Sequence, residues 1–429
     1  MTVIRTDDVA FKEVFAELLG RGKMDMEHVS AIVKGIIDEI RHDEDEALMR
    51  HIEKFDRWKP ECADDLRIDS EAMKAAYDAL EPNLKEALHL AYDRIRSYHE
   101  KQLPKSWFDT EANGTILGQK VTPVGSAGLY IPGGKAAYPS SLLMNVIPAQ
   151  VAGVERIVVT TPTPDNEPNP LLLAACHLCG VSEVFKVGGA SAIAAMAYGT
   201  SSIPKVDVIT GPGNIFVATA KKMVFGEVNI DMIAGPSEIG VLADETANPN
   251  HIAVDLLSQA EHDEMASSIL ITPSESFAAR CAEEIENWLS QLPREEIARK
   301  SINERAAIII ASSMPEAISL MNEIAPEHLE VATDNPFALL PSIKHAGAIF
   351  LGHYTPEAIG DYIAGPNHTL PTGGTAKFYS PLGVENFMKK SSIIAFSKEA
   401  IMQIGEQCAL IADTEGLGAH AASVRCRLG

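Results

Sequence analysis

Residues 206–225 read VDVITGPGNIFVATAKKMVF, and this stretch contains the pattern that decides the fold. A short β-branched run at 206–210 is followed by a glycine-rich turn and then by a segment with helical spacing. Asn214 stands where that helix would begin, and asparagine is a preferred N-cap residue. The pattern therefore predicts one strand–turn–helix unit of a parallel sheet.

The same alternation of strand and helix continues on both sides of this stretch. Further buried strands are predicted at 157–161, 184–187, 239–243, 268–272, 306–311 and 347–352. Continuous apolar strands separated by helices are typical of a parallel sheet covered on both faces. Because there are more units than one sheet takes, the sequence predicts an α/β fold with two doubly wound, Rossmann-like parallel-sheet lobes and helical extensions at both termini.

The length of 429 residues also favours more than one domain. We expect an N-terminal helical extension at 1–24, a first α/β lobe made of 25–120 and 239–380, a second α/β lobe at 121–238 and a C-terminal helical tail at 381–429. No strong strand is expected before about residue 116. In sheets of this kind, ligands bind beyond the carboxyl ends of the strands, so the loops there are the first candidates for a site.

Composition excludes several classes of function. The net charge of −23 and the pI near 5.0 argue against binding nucleic acid or an anionic membrane through bulk electrostatics, although a small anionic ligand remains compatible with them. The sequence has neither a secretory signal nor an apolar run of membrane-spanning length. Six cysteines are few for this length, which favours a reducing cytoplasmic location, and the CHLC motif at 176–179 is typical of a buried helix face rather than a metal site.

Three glycine-rich loops follow predicted strands, at 128–135, 211–214 and 234–238. Glycine lets backbone N–H groups approach an oxyanion closely, and a helix N-terminus adds positive potential. None of the three is the G-x-G-x-x-G fingerprint, and each alone is equally compatible with an ordinary tight turn. Their placement at one end of a sheet favours a nucleotide or another phosphate-bearing ligand.

Polar side chains with catalytic or metal-binding chemistry occur in four places, at 258–264, 326–330, 361–368 and 415–420. Residues 258–264, SQAEHDE, put an amide and an imidazole one helical turn apart, which fits either a solvated surface helix or a shared ligand. Residues 326–330, PEHLE, place a carboxylate beside an imidazole, which fits either a solvated loop or an acid–base pair. A mixed set of nitrogen and oxygen donors suits a borderline divalent cation such as Zn²⁺, although only the fold could bring these donors together: Gln259, His262, Asp361, His368, Glu415 and His420.

Several segments together resemble the histidinol dehydrogenase family. They lie in family order between about residues 120 and 420, and their sequences are GLYIPGGKAAYPSSLLMNVIPAQVAGV, VGGASAIAAMAYGT, TGPGN, DMIAGPSE, DLLSQAEHD, APEHLE, GDYIAGPNHTLPTGGTA and EGLGAH. The resemblance implies oxidation of L-histidinol to L-histidine through the aldehyde with two NAD, the last step of histidine biosynthesis. It also implies one Zn²⁺ per subunit and a homodimer with shared active sites.

The resemblance also implies a role for each matching residue. Glu327 and His328 match the catalytic acid–base pair. The implied zinc ligands are Gln259, His262, Asp361 and, from the partner subunit, His420. The implied substrate contacts are Ser237, Gln259, His262, His328, Asp361, His368, Glu415 and His420. The implied NAD contacts are Tyr130, Ser191 and Asn214, which makes 121–238 the NAD-binding lobe and the other lobe the one for metal and substrate.

One position departs from the family pattern, since Ser191 stands where the family usually has glutamine. This departure leaves open a paralogous zinc- and NAD-dependent dehydrogenase that acts on another small polyol or amino alcohol. His368 and Glu415 favour an amino alcohol as substrate. A non-catalytic metal- or nucleotide-binding protein is disfavoured by the intact Glu327–His328 pair.

Overall fold

Strands and helices alternate through most of the chain, which a computed structural model describes at residues 1–20, 26–133 and 138–429. The strands are β1 (Thr2–Arg5), β2 (Trp107–Thr110), β3 (Ile116–Pro123), β4 (Ser126–Tyr130), β5 (Arg156–Thr160), β6 (Glu183–Phe185), β7 (Val208–Thr210), β8 (Asn229–Ile230), β9 (Glu238–Ala243), β10 (Ser267–Thr272), β11 (Ala307–Ile310), β12 (His328–Ala332), β13 (Ala348–Leu351) and β14 (Met388–Ala395). The end of the predicted glycine loop at 128–135 and the predicted boundary at residue 24 lie outside the described residues.

The helices cover the faces of the sheets formed by these strands. They are α1 (Phe11–Gly20), α2 (Glu27–Phe55), α3 (Ser70–Asp78), α4 (Pro82–Glu100), α5 (Pro139–Ala152), α6 (Pro170–Leu178), α7 (Gly189–Tyr198), α8 (Ile215–Val224), α9 (Pro249–Ala260), α10 (Glu275–Leu289), α11 (Glu295–Arg305), α12 (Met314–Ile324), α13 (Pro336–Leu339), α14 (Glu357–Tyr362), α15 (Lys398–Thr414) and α16 (Gly418–Arg425).

Two parallel sheets confirm the predicted fold class. The larger sheet has the strand order β1-β11-β10-β9-β12-β13 and the smaller one β6-β5-β4-β7-β8. In the larger sheet the chain runs from the central β9 outward to β10 and β11, and then returns to β12 on the other side of β9. In the smaller sheet it runs from β4 to β5 and β6 and returns to β7, so both lobes share one doubly wound topology. Strands β9, β10 and β12 are buried along their whole length, which explains why their sequences are mostly apolar, although β12 carries the buried Glu330 at its centre.

A third, antiparallel sheet was not predicted. Strand β3 pairs with β2 on one side and with β14 on the other. Strand β14 therefore interrupts the region at 381–429 that the sequence predicted to be wholly helical. This small sheet is largely exposed to solvent, so its strands lack the apolar run by which a buried strand is recognised.

The N-terminal region differs from the sequence prediction in two ways. Strand β1 pairs in parallel with β11 at the edge of the six-stranded sheet, so residues 2–5 are not helical, and β2 is a second strand before residue 116. The helices at 27–100 share hydrophobic cores with the five-stranded sheet, whereas the predicted boundaries joined 25–120 to 239–380. Helical periodicity shows which face of a helix is buried but not which sheet will cover it.

The C-terminal helices α15 and α16 pack against each other and leave apolar side chains exposed, among them Leu410, Ile411 and Leu417. The antiparallel sheet likewise exposes Phe108 and Ile394. In the described part of the chain, no helix combines the length and the apolar character needed to cross a membrane.

Candidate active site

A cleft of about 930 Å³ lies between the two parallel sheets. Its walls include Asn229 and Asp231 from the end of β8, and His328, Asp361 and His368 from the six-stranded lobe. It thus faces the carboxyl end of one sheet and the amino end of β12 in the other. The expectation that sites lie beyond carboxyl ends was wrong for the six-stranded lobe, because its candidate residues stand where β9 and β12 begin.

His328 lines this cleft, and the side chain of Glu327, its neighbour in sequence, lies next to it. Adjacent residues within a strand point to opposite faces, but β12 begins at His328, so Glu327 precedes the regular strand. Both residues are buried, and His328 Nδ1 lies 3.7 Å from Glu327 Oε2. The irregular backbone after Pro326 therefore lets both side chains reach one site.

Glu327 is a buried carboxyl group with a single backbone donor. Its Oε2 accepts a hydrogen bond of 2.9 Å from the Glu238 backbone N–H. Burial raises the pKa of Glu327 to about 7, although the nearby His328 opposes this rise. A carboxyl group with this pKa exchanges protons near neutral pH, which suits a general base.

His328 is surrounded by carboxylates. Its Nδ1 lies 3.1 Å from the Glu238 carbonyl oxygen, which fixes the ring, and 3.6 Å from Glu357 Oε2, while Nε2 lies 3.6 Å from Asp361 Oδ1. Burial alone lowers the pKa of His328, but the charges of Glu327, Glu357 and Asp361 outweigh it and raise the pKa well above the usual value. The buried Nε2 has no hydrogen-bond partner among the described residues, so it is free for a substrate.

Among the predicted metal ligands, Asp361 lines the cleft, and His262 is close enough to Asp361 for its charge to lower the Asp361 pKa. Gln259 lies in the last turn of α9, and its Oε1 is buried without a partner in the described part of the chain. His262 follows the end of that helix, and Asp361 lies on α14. Ser258 Oγ donates a hydrogen bond of 3.0 Å to Glu357 Oε1, which joins the end of α9 to α14.

The electrostatics of the three ligands fit a cation. Desolvation is the largest influence on the pKa of His262 and lowers it below the usual value, which favours the neutral imidazole that ligates metals. Burial raises the pKa of Asp361, but the close approach and charge of His328 outweigh it and the net pKa is below its usual value. In residues 1–20, 26–133 and 138–429, no group of three or more His, Cys, Asp and Glu side chains is placed to hold a metal ion. A neutral imidazole, a carboxylate and an orphaned amide oxygen are nevertheless a suitable partial donor set for Zn²⁺.

The predicted substrate residues fall into two groups. His368 is half-buried in the cleft, with Nδ1 2.9 Å from the Asp361 carbonyl oxygen, and Ser237 immediately precedes β9. Glu415 and His420, in contrast, are exposed on the α15–α16 hairpin. Within the described residues their side chains make no hydrogen bond with the cleft, so one chain alone does not bring them to the site.

The predicted cofactor residues lie at the carboxyl end of the five-stranded sheet. Tyr130 ends β4, is buried, and its hydroxyl oxygen accepts a hydrogen bond of 3.3 Å from the Gly189 N–H. Asn214 caps α8, and its Oδ1 accepts hydrogen bonds from the N–H groups of Phe216 and Val217. The predicted N-cap is confirmed, and the side-chain NH₂ of Asn214 faces solvent.

Ser191 has a different environment from the one expected of a cofactor contact. It is buried in the first turn of α7, and its Oγ lies 2.9 Å from His51 Nδ1. His51 Nε2 in turn lies 2.9 Å from Glu39 Oε2. The hydroxyl at this departure from the family pattern is thus engaged by α2.

Sequence reasoning missed Glu238 and Glu357, which flank the catalytic pair, and Glu330, which accepts a hydrogen bond from the Glu357 N–H. Glu238 begins β9 directly after the predicted residue Ser237, and Glu357 stands four residues before Asp361 on one helix face. Both residues could have been found from their spacing to predicted site residues, because Glu238 adjoins Ser237 and because Glu357 and Asp361, four apart on a helix, are neighbours. Burial is the largest cause that raises the pKa of Glu357, to about 8, and that of Glu238, to about 7.

We expect the metal-free protein to lose stability as the pH rises from about 5 to about 8.5. The folded protein holds a proton on Glu357 up to about pH 8, whereas the unfolded chain releases it near pH 4.5, so the folded state is favoured at low pH and that preference is lost through the window. Glu357→Gln should remove on the order of 2–4 kcal/mol of this pH dependence.

Urea unfolding at several pH values, with chelator present, measures this effect. Replacement of the exposed Glu399 by glutamine is the control and should leave the pH dependence unchanged. A pH dependence in Glu357→Gln equal to that of the wild type would contradict the buried, protonated carboxyl group.

Comparisons of the whole chain with known proteins point to one family. The family model described as histidinol dehydrogenase matches residues 19–428. The chain is 75% identical to the histidinol dehydrogenase of Sulfurimonas denitrificans, over 98% of this chain and 97% of that protein. It is 68% identical to the histidinol dehydrogenase of Wolinella succinogenes, over 97% of each. The crystal structure of histidinol dehydrogenase from Elizabethkingia anophelis superposes with a TM-score of 0.94 at 36% identity, over 100% of this chain and 98% of that one.

Proposed function

Because the chain belongs to the histidinol dehydrogenase family, we propose that the cleft between its two parallel sheets is the site at which histidinol is oxidised. The enzyme converts L-histidinol to L-histidine, the last step of histidine biosynthesis. The observation that supports the location is the burial of Glu327 and His328 side by side in the cleft, each within 4 Å of the other.

His328 is the base of the first oxidation in this proposal. The raised pKa makes His328 a strong base once Nε2 has released its own proton, and Nε2 then takes the hydroxyl proton of the alcohol while the hydride leaves for NAD. The carbonyl oxygen of Glu238 and the carboxylate of Glu357 on the other side of the ring hold the proton of Nδ1 and stabilise the imidazolium that forms. The aldehyde is the product of this step.

Glu327 is the base of the second oxidation. It removes a proton from the water that adds to the aldehyde, and the resulting hydrate loses the second hydride to a second NAD to give the carboxylate. A carboxyl pKa of about 7 lets this group accept that proton and release it again near neutral pH.

Gln259, His262 and Asp361 would hold a Zn²⁺ ion in this cleft. When bound, the ion supplies a template that retains the substrate and the reactive aldehyde between the two oxidations. The orphaned Gln259 Oε1 supports this assignment, since a buried amide oxygen without a partner is costly unless something binds it.

We propose that the set is completed by His420 of the partner subunit in a homodimer, with Glu415 from the same hairpin as a substrate contact. The exposed apolar side chains Leu410, Ile411 and Leu417 beside these residues support an interface there.

The NAD-binding residues of this proposal are Tyr130 and Asn214, in the lobe at 121–238, while the predicted contact Ser191 is buried with its hydroxyl engaged by His51. The carboxyl end of a doubly wound sheet is where dinucleotides bind, and α7 and α8 both begin at this edge. All six cysteines are free thiols, which supports a reducing cytoplasmic location for the enzyme.

We expect two NADH to form for each L-histidinol consumed, in protein that contains about one Zn²⁺ per subunit. Stopped assays that compare NADH absorbance with chromatographic loss of histidinol, together with metal analysis of the same sample, measure both ratios. Formation of one NADH, with an aldehyde as the accumulated product, would contradict the four-electron reaction.

A further inference from the structure

A buried ion pair lies beneath the glycine-rich loop at 211–214. Lys221 on α8 and Asp231 after β8 form this pair, and their side chains are 3% and 0% exposed. Lys221 Nζ donates a hydrogen bond of 2.9 Å to the Gly211 carbonyl oxygen, and Asp231 Oδ2 accepts one of 2.9 Å from the Gly211 N–H. Opposite charges therefore hold both backbone groups of a single residue.

Gly211 is a residue whose conformation needs such support. Its φ of +114° lies in the region that favours glycine, and a Cβ there would collide with the Tyr130 carbonyl oxygen. Glycine permits this close approach, but its backbone also has more conformational freedom than that of any other residue. The ion pair removes that freedom at the point where the chain turns from β7 towards Asn214.

The same pair also reaches the segment that leads to the substrate. Asp231 Oδ1 accepts a hydrogen bond of 2.6 Å from the Met232 N–H, at the start of the stretch that ends in Ser237. Asp231 lines the cleft as well. One carboxylate thus anchors the cofactor-side loop and the beginning of the substrate-side segment.

Burying two charges costs desolvation, and apolar side chains of similar volume are often at least as stabilising. Here both charged groups form hydrogen bonds with the backbone of one loop residue, Gly211. The presence of the buried pair is therefore better explained by a need to fix the loop geometry than by a gain in stability. We propose that Lys221 and Asp231 are positioning residues that hold the loop from Gly211 to Asn214 in the geometry that receives the NAD molecule. This inference rests on the proposed NAD site.

Lys221→Met tests the inference by separating the two substrates. We expect KM for NAD to rise about tenfold, because the Gly211 carbonyl group loses its donor and the loop loses its fixed path, while KM for histidinol changes less than twofold. Calorimetric titration of the protein with NAD alone should show the same weakening. That measurement needs no turnover, so it distinguishes a failure of this inference from a failure of the proposed reaction.

Val224→Ala is the matched control. Val224 is a buried residue on the same helix, and its apolar side chain cannot form a hydrogen bond with the loop at 211–214. This substitution should destabilise the protein but leave NAD affinity unchanged. Asp231→Asn keeps the size of the side chain and should reproduce the weakened NAD binding. Unchanged NAD affinity in Lys221→Met, equal weakening in Val224→Ala, or failure of both ion-pair variants to fold would each assign the pair to stability and overturn the inference.

Discussion

Replacing His262 with alanine is expected to abolish metal binding and turnover together. His262 supplies the neutral imidazole of the donor set, and the amide oxygen of Gln259 is too weak a ligand to hold a dication with one carboxylate. Loss of an outer-sphere partner typically costs 10–100-fold in affinity or activity, so loss of a ligand should lower kcat by more than about 100-fold. Mass spectrometric metal analysis and NADH formation on the same preparation measure both quantities.

The matched control is His251→Ala, at the other end of the same helix and exposed to solvent. It should retain metal and activity. A further arm mixes inactive His262→Ala with inactive His420→Ala protein after dissociation. If each site takes His420 from the partner subunit, random reassociation should restore about a quarter of the activity. Metal-free His262→Ala with a near-normal rate would remove the proposed role of the metal.

Buried strands could be predicted from the sequence, whereas exposed strands could not. Strands β9, β10 and β11 were predictable because both their faces are covered, which favours a continuous apolar run. Strands β2 and β14 were missed because they are short or mostly exposed and carry mixed polar sequences. The assignment of α2 to the five-stranded sheet was out of reach, since an amphipathic pattern does not specify its partner.

The candidate site shows the same division. The spacing of Gln259 and His262 by one helical turn and the adjacency of Glu327 and His328 marked both pairs as candidates, and the family resemblance then implied their roles. Three-dimensional information was needed to see that Glu238 and Glu357 flank the imidazole, because those two glutamates come from distant parts of the chain. The position of the site at the amino end of β12 was also not predictable, because the general rule for parallel sheets gives the opposite end.

Replacing Glu327 with glutamine is expected to stop the reaction mainly after the first hydride transfer. Glutamine keeps the volume of the side chain and can still accept the hydrogen bond from the Glu238 N–H, so the fold and the first oxidation should change little. It cannot take a proton from water, and loss of a general base typically costs 10²–10⁴-fold in rate, about 3–5 kcal/mol. Single-turnover experiments should therefore show a near-normal first phase of NADH formation from histidinol and a second phase slowed by that factor.

Direct assays with histidinaldehyde should show the same large loss, and equal losses on histidinol and histidinaldehyde would contradict the assignment. Glu330→Gln is the control on the same strand, because Glu330 is buried and accepts from the Glu357 N–H rather than facing the pair. The pH profile supplies an independent check. The base must be ionised, so the second phase in the wild type should slow as the pH falls through about 7, the pKa to which burial raises Glu327, and this limb should be absent in Glu327→Gln because the amide does not titrate.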